Sequence, residues 1–163
     1  AKRGVKTIIA TDTDPRALAC AQENFERLGI SAQVQLHNAD LLPKTTDKAD
    51  LIVCNPPWLP AKAAAPIEHA IFDEKSQMLK GYLQGVGAHL SAHGQAWLIM
   101  SDFAEHLGLR GTNEITDIIK QSGLRLLKKH DIRPQHGKVF DQTDPLHRAR
   151  AQEVTSLWCL VSA

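Results

Sequence analysis

Residues 50–60 read DLIVCNPPWLP, an apolar run that ends in an asparagine, two prolines and a tryptophan. Proline has a fixed φ and no backbone N–H, so this stretch cannot continue as a central strand of a sheet. We therefore predict a β-strand over residues 49–55, buried on both faces as in a parallel sheet, and a stiff loop after it. The loop carries an amide at Asn55 and an aromatic ring at Trp58.

Strand-like and helix-like segments alternate on both sides of this stretch. Residues 5–11 are β-branched and short, which predicts a strand, and a helix follows at once. Asp14 suits the N-cap of that helix, Pro15 its first turn and Gly29 its C-terminal left-handed position, with Leu18, Ala21, Phe25 and Leu28 on its apolar face. The other predicted segments are a strand at 32–40, a glycine-interrupted helix at 67–90, a strand at 94–101, a helix at 112–123, a strand at 124–132, a short helix within 144–153 and a strand at 153–161.

This order predicts an α/β fold with a doubly wound, Rossmann-like sheet. The sheet is expected to be mostly parallel, with the last two strands forming an antiparallel pair at one edge. The 163 residues fit one domain, so we assign residues 1–163 to a single domain. Ligands of such sheets bind beyond the carboxyl ends of the strands.

Composition narrows the class of protein. Nineteen Lys and Arg against eighteen Asp and Glu leave a formal charge of +1, which argues against a body that binds nucleic acid by charge alone. Cys20, Cys54 and Cys159 are far apart and read as core thiols of a protein from a reducing compartment. His89 and His93 have the spacing of helical metal ligands but no acidic partner, so no metal site is predicted. No apolar run approaches the roughly 18 residues of a membrane span, and we expect a cytoplasmic protein.

Polar residues follow three of the predicted strands: Asp12, Asp40 and Asn55. Because the carboxyl ends of parallel strands share one edge of a sheet, these residues are expected to face one crevice. A carboxylate at Asp12 can accept hydrogen bonds from both hydroxyls of a ribose, and Asp40 can accept from the exocyclic amine of an adenine. Taken alone, an aspartate that follows a strand is more often a cap or turn residue than a ligand-binding one.

The NPPW sequence, residues 55–58, suggests a more specific chemistry. The Asn55 side-chain carbonyl and the Pro56 backbone carbonyl offer two acceptors for one NH₂ group, and Trp58 offers a plane for stacking. Two acceptors placed off the plane of an amide or aniline-type nitrogen favour its pyramidal form, which turns the lone pair toward an electrophile. The alternative is an ordinary turn with Trp58 anchored in the core.

The stretch resembles motif IV of the class I S-adenosylmethionine-dependent N-methyltransferases, in which Asp, Asn or Ser is followed by two prolines and an aromatic residue. These enzymes methylate amino groups of DNA and RNA bases or of protein glutamines, and many are grouped as the small-domain methyltransferase family. IIATDTDPRALACAQENFERLG (8–29) is similar to the family's second strand and helix, and LHNADLL (36–42) to its third strand end. The likeness covers about residues 5–101.

The resemblance implies S-adenosyl-L-methionine as the cofactor and an RNA or DNA base, or a protein glutamine, as the methyl acceptor. It assigns Asp12, with Thr13, to the cofactor ribose and Ala39 with Asp40 to its adenine. It assigns the transfer site to Asn55, Pro56, Pro57 and Trp58, with Asn55 also on the cofactor side. In-line transfer from an activated sulfonium needs positioning more than a metal or a covalent intermediate.

One family feature is missing from this sequence. The Gly-rich loop after the family's first strand should precede the ribose-binding acid by about 20 residues, yet only eleven residues precede Asp12. We therefore expect a fragment of a longer methyltransferase, in which the second and fourth strands pair directly or another chain, in an oligomer or strand swap, fills the gap. One alternative is a non-catalytic fragment or binding module. A weaker alternative is a dinucleotide-dependent oxidoreductase, in which the NPPW residues would have no functional role.

Overall fold

The computed structural model describes residues 4–65, 68, 70–135 and 137–163. The chain forms two compact units that divide between Thr46 and Asp47, and each is described by itself. No helix among the described residues has both the length and the apolar character needed to cross a membrane.

The first unit is a parallel strand–helix–strand unit. Strand β1 spans Ile8–Asp12, helix α1 spans Pro15–Arg27 and strand β2 spans Val34–Asn38. The two strands pair in parallel, with Ile8 opposite Val34 and Asp12 opposite Asn38. Their carboxyl ends therefore lie side by side, as the sequence predicts.

Helix α1 begins and ends as predicted. The Asp14 side chain accepts a hydrogen bond from the Arg16 backbone N–H, and Gly29 has a φ of +66°, where a side chain would be strained. The predicted apolar face is half-buried at Leu18, Ala21 and Phe25. Leu28 departs from it: this residue is the C-cap of the helix, and it is 57% exposed.

Asp14 makes the stability of this unit depend on pH. Hydrogen bonds from the side chain and backbone of Arg16 lower the pKa of Asp14 from 3.8 to about 2. A carboxylate whose pKa is lowered by folding stabilises the folded state at pH values above its unfolded pKa. This contribution is lost as the pH falls through the folded-state pKa. Asp14→Ala is thus expected to reduce urea resistance at neutral pH, with a difference from wild type that shrinks between pH 3.8 and 2.

Circular dichroism during urea unfolding measures this difference. Asp14→Asn is the matched control, because asparagine caps a helix about as well as aspartate but carries no charge. It should retain most of the stability at neutral pH and lose the acid dependence. A difference between wild type and Asp14→Ala that is equal at neutral and acid pH would contradict the assignment.

The second unit is a four-stranded mixed sheet in the order β3-β4-β6-β5. Strand β3 (Ala49–Cys54) is parallel to β4 (Leu90–Ser101), while β6 (Thr155–Ser162) is antiparallel to β4 and to β5 (Leu124–Ile132). The predicted antiparallel pair at one edge is confirmed. The helices of this unit are α2 (Gln77–Val86), α3 (Phe103–His106), α4 (Glu114–Gln121), α5 (Gly137–Phe140) and α6 (His147–Gln152).

The core of this unit lies where α2 and α4 pack on the sheet. Its members are apolar residues of these helices and of the strands, among them Leu79, Leu83, Val86, Leu98, Ile119 and Leu160. The Tyr82 hydroxyl is buried in this core and lies 3.1 Å from the Ile52 carbonyl and 3.2 Å from the Trp97 carbonyl. Helix α2 is therefore tied directly to β3, the strand that leads into NPPW.

Strand β3 is not buried on both faces, contrary to the prediction from its apolar run. Leu51 is 46% exposed and Val53 56%, whereas Ile52 and Cys54 face the core. Within the described chain β3 pairs with β4 alone and β1 with β2 alone. Strands β1 and β3 correspond to the second and fourth strands of the resemblance, and among the described residues they are assigned to different sheets.

The predicted helix at 67–90 is shorter than expected, and residue 67 lies outside the described residues. The Asp73 side chain accepts hydrogen bonds from the Met78 and Leu79 N–H groups, and Lys75 and Ser76 have positive φ, so the helix begins only at Gln77.

Strand β4 is longer than predicted and includes His93. His89 ends a 3₁₀ turn instead, so the two histidines share no helix face.

The cysteines fit the core-thiol prediction only in part. Cys159 is buried and Cys54 is half-buried, but Cys20 is exposed on α1. Helix α1 has no fully buried residue, so a small apolar side chain there need not be covered.

Candidate active site

The first group of predicted site residues lies at the carboxyl edge of β1 and β2. Asp12 is exposed as the last residue of β1, and its Oδ1 accepts a hydrogen bond of 2.8 Å from the Asp14 N–H. The Ala39 N–H donates to the Asp12 carbonyl at 3.1 Å, and the Asn38 amide donates to the Thr13 carbonyl at 3.2 Å. These bonds bring Asp12, Thr13 and Ala39 together.

Asp40 completes this group from the turn after β2. Its side chain is exposed. The next residue, Leu41, has a φ of 64°, and the Thr11 hydroxyl holds it by donating to the Leu41 carbonyl at 2.7 Å. Asp14 does not compete for the same role, because Arg16 occupies both of its side-chain oxygens. Asp14 is therefore engaged in capping α1, and the assignment of the ribose to Asp12 stays a prediction.

The second group is the NPPW loop, residues 55–58, which follows β3. Asn55 is exposed, Pro56 is fully buried, and Trp58 is half-buried against the core. The Trp58 indole N–H donates to the Asn55 side-chain oxygen at 3.1 Å. This contact was not predicted from the sequence, in which Trp58 was expected either to stack on the substrate or to anchor the core.

The Trp58–Asn55 hydrogen bond fixes the rotamer of the amide. A side-chain carbonyl has two lone pairs, so one stays available for a second donor. The Pro56 carbonyl accepts no hydrogen bond from the described part of the chain. The Asn55 side-chain oxygen and the Pro56 carbonyl belong to adjacent residues, and their joint action on one NH₂ group stays a prediction.

The loop is held at its far end by the segment before α2. The Leu59 N–H donates to the Ile71 carbonyl at 3.3 Å, and the Asp73 N–H donates to the Leu59 carbonyl at 2.8 Å. Asp73 also caps α2 through its side chain. The chain on both sides of NPPW is thus attached to the core helix.

Arg110 makes a further contact with the loop. This residue lies between α3 and α4, and its Nη2 donates to the Trp58 carbonyl at 2.7 Å. Its side chain is only 1% exposed. The sequence gives no signal for this contact, because Arg110 lies 52 residues from Trp58 in a loop without a recognisable motif.

Cys54, the residue before Asn55, is not a nucleophile in this setting. Burial, together with the nearby Asp73 carboxylate, raises the pKa of the Cys54 thiol from 9.0 to about 12. The thiol is therefore neutral at physiological pH, and a neutral thiol is a poor attacking group. The exposed polar side chain of the loop is the Asn55 amide.

Comparison with known proteins decides the family. Residues 1–116 match the family model described as UPF0020, RMKL-like, methyltransferase domain. The chain belongs to this family. The resemblance to methyltransferases seen in the sequence is confirmed, and the match includes both groups of site residues.

Curated relatives of this methyltransferase-domain chain act on different molecules. The release factor glutamine methyltransferase of Moorella thermoacetica is 37% identical over 83 residues, which are 50% of this chain and 29% of that protein. The ribosomal RNA large subunit methyltransferase K/L of Legionella pneumophila is 31% identical over 114 residues, which are 67% of this chain and 15% of that protein. The chain spans less than half the length of either relative.

Solved structures confirm the fold class of the methyltransferase domain. The ribosomal protein L11 methylase of Lactobacillus delbrueckii subsp. bulgaricus superposes with a TM-score of 0.61 at 19% identity. The superposition covers 97% of this chain and 59% of that one. The chain therefore has the Rossmann-like arrangement that its sequence predicts.

Proposed function

We propose that this protein transfers the methyl group of S-adenosyl-L-methionine to a planar amino nitrogen. The observation that supports this proposal most is the pair of acceptors at Asn55 and Pro56, held by the Trp58 indole and by buried packing. The family of the chain and its relatives point the same way. In a dinucleotide-dependent oxidoreductase this loop would have no functional role, and no relative named above is an oxidoreductase.

The residues of the first unit suit the nucleoside part of the cofactor. The Asp12 Oδ1 already accepts one backbone N–H, which orients the carboxylate and leaves Oδ2 for a ribose hydroxyl. Thr13 and Ala39 place backbone beside it, and exposed Asp40 can accept from the adenine amine. When bound, S-adenosyl-L-methionine supplies a methyl group activated by its positive sulfur.

The second unit would act on the acceptor nitrogen. An amide nitrogen is a poor nucleophile because its lone pair is delocalised into the carbonyl. The Asn55 oxygen and the Pro56 carbonyl would accept its two N–H groups, favour the pyramidal form and direct the lone pair away from both acceptors. Pro56 and Pro57 hold the loop in one shape, so little reorganisation accompanies transfer.

A glutamine side chain of a protein is our first candidate for the acceptor. The Moorella relative methylates a release-factor glutamine, and a formal charge of +1 provides little attraction for a polyanion. An RNA base is the second candidate, favoured by the Legionella relative, which is named for ribosomal RNA. Both acceptors present a planar NH₂ group.

A labelled-methyl assay tests the function and separates the acceptors. The purified chain is incubated with methyl-tritiated S-adenosyl-L-methionine and either a bacterial release factor or ribosomal RNA. We expect label in the release factor, and inhibition by S-adenosylhomocysteine. Label in RNA alone would favour the second acceptor. No label, together with no heat on calorimetric titration with the cofactor, would instead favour a non-catalytic module.

Trp58→Phe separates orientation from stacking at this site. Phenylalanine keeps an aromatic plane but removes the N–H that holds Asn55, a hydrogen bond whose net value is about 1 kcal/mol. We expect kcat to fall about fivefold, as that energy implies, with the acceptor KM nearly unchanged. If Trp58 only stacks on the acceptor, phenylalanine should preserve that contact, and kcat should stay at the wild-type value.

We further propose a cytoplasmic protein with a single catalytic domain over residues 1–163, whose open β3 edge is completed by another strand. A second copy of the chain is one source of this strand, through an oligomer or strand swap. Among the described residues β3 pairs with β4 alone, and an unpaired strand edge can accept a further strand. Light scattering of the purified chain tests the oligomer, and a monomer at all concentrations would exclude a second copy.

A further inference from the structure

Arg110 is a buried cation without a sufficient charge partner among the described residues. Its side chain is 1% exposed, although the preceding Leu109 is 48% exposed. Burying a guanidinium is costly unless it is paired and hydrogen-bonded. Its nearest carboxylate oxygen, Glu105 Oε1, lies 3.7 Å from Nη1, which is too far for a good hydrogen bond.

The ion pair therefore does not account for this burial. Within the described chain, Nε and Nη1 of Arg110 and Oε2 of Glu105 make no hydrogen bond. Among the residues that the structure describes, the guanidinium makes one short contact, the bond of 2.7 Å from Nη2 to the Trp58 carbonyl. A charged donor to a backbone carbonyl forms a stronger bond than a neutral one.

The loop has few bonds of its own to hold Trp58 in place. Pro56, Pro57 and Pro60 have no backbone N–H, so residues 55–60 have only three backbone donors. Leu59 is tied to Ile71 and Asp73, beyond the tryptophan. The peptide group that carries the indole is fixed by Arg110 at its carbonyl.

We infer that Arg110 is a positioning residue for the transfer site. Its Nη2 fixes the Trp58 carbonyl, and the indole of the same residue holds the Asn55 amide oxygen. Two hydrogen bonds thus connect a buried cation of the α3–α4 loop to the exposed acceptor. This inference rests on the proposed role of Asn55 in methyl transfer.

Glu105 is the nearest carboxylate to the Arg110 guanidinium, at 3.7 Å, and pairs with it only loosely. Its side chain is 9% exposed, and it lies on α3 beside the guanidinium. Burial raises the pKa of Glu105, while the Arg110 charge opposes that rise. The loose pairing leaves Nη2 directed at the loop instead of at the carboxylate.

The test replaces Arg110 in the full chain and measures both transfer and amide exchange. In Arg110→Met we expect kcat for the labelled-methyl transfer to a release factor to fall about tenfold. The acceptor KM and the Kd for S-adenosyl-L-methionine should stay within about twofold. Hydrogen exchange at the Leu59 and Asp73 amides should accelerate, because the loop loses its anchor, while exchange in β5 and β6 stays unchanged.

A conservative variant and a matched control complete the design. Arg110→Lys retains one charged donor for the Trp58 carbonyl and should recover part of kcat. Arg150→Met also removes a partly buried arginine of the second unit, one that pairs with Asp144 and lies over the Phe103 ring. It should leave kcat and the Leu59 exchange rate at wild-type values. If Arg110→Met does not fold, the inference is tested with Arg110→Lys alone. Slower methyl transfer and faster amide exchange than in wild type would support it.

Each outcome has a definite meaning. Wild-type kcat and wild-type exchange in the Arg110 variants would overturn the inference, as would equal losses in Arg150→Met. If Asn55→Ala transfers methyl groups as fast as wild type, the proposed function fails at that residue. Faster exchange at Leu59 in Arg110→Met would then still show that Arg110 anchors the loop. A failure of the proposed function is therefore distinguishable from a failure of the inference about Arg110.

Discussion

Asn55→Ala is expected to lower kcat for methyl transfer about 100-fold or more, in line with the loss of a single oriented hydrogen-bonding group in other active sites. The substitution removes the side-chain acceptor and leaves only the Pro56 carbonyl. The Trp58 indole also loses its partner. Because Asn55 is exposed, the fold should tolerate the change. Single-turnover transfer of a tritiated methyl group measures the loss.

Two further variants make this result specific. Asn113→Ala is the matched control, because Asn113 starts α4 without a side-chain capping bond, and it should transfer at the wild-type rate. Asn55→Asp keeps an acceptor and should retain more activity than Asn55→Ala. Calorimetry should give a Kd for S-adenosyl-L-methionine within a few-fold of wild type in all three. Loss of cofactor binding that parallels the loss of transfer would show that Asn55 serves the cofactor instead of the acceptor.

Local rules were sufficient to predict the elements that carry the site. The boundaries of α1 follow from Asp14, Pro15 and Gly29, whose conformational preferences operate within a few residues. The strand predicted at 124–132 has the same bounds as the observed strand β5. The antiparallel β5–β6 pair follows from a connection too short for a long crossover helix.

Contacts between distant segments were not predictable in the same way. The apolar run of β3 indicated burial on both faces, but burial depends on which strand and which helices lie next to it, and Leu51 and Val53 are exposed. The start of α2 depends on the Asp73 side chain, which overrides the helical pattern before it. Arg110 reaches Trp58 only through the fold. Side-chain pairing across such a distance has no periodic signature.

Asp12→Ala is expected to raise the Kd for S-adenosyl-L-methionine by about 10- to 100-fold, because hydrogen bonds to a charged group contribute about 1.5 to 3 kcal/mol each. The exposed carboxylate at the end of β1 is the acceptor proposed for the ribose hydroxyls. Asp12→Asn retains Oδ1 for the Asp14 N–H but removes the charge. A smaller rise in Kd is therefore expected for it. Isothermal titration calorimetry measures both constants.

The kinetic pattern distinguishes this effect from that of Asn55. At saturating cofactor, Asp12→Ala should recover a kcat near wild type, because Asp12 would contribute to binding and not to the orientation of the acceptor nitrogen. Asp14→Ala is its control: it removes the α1 cap and its bonds to Arg16, so it should change stability but not the cofactor Kd. An unchanged Kd in Asp12→Ala, or an equal rise in Asp14→Ala, would contradict the ribose assignment. If Asp12 variants change mainly the cofactor Kd and Asn55 variants change mainly kcat, the cofactor is assigned to the β1–β2 edge and the acceptor to the NPPW loop.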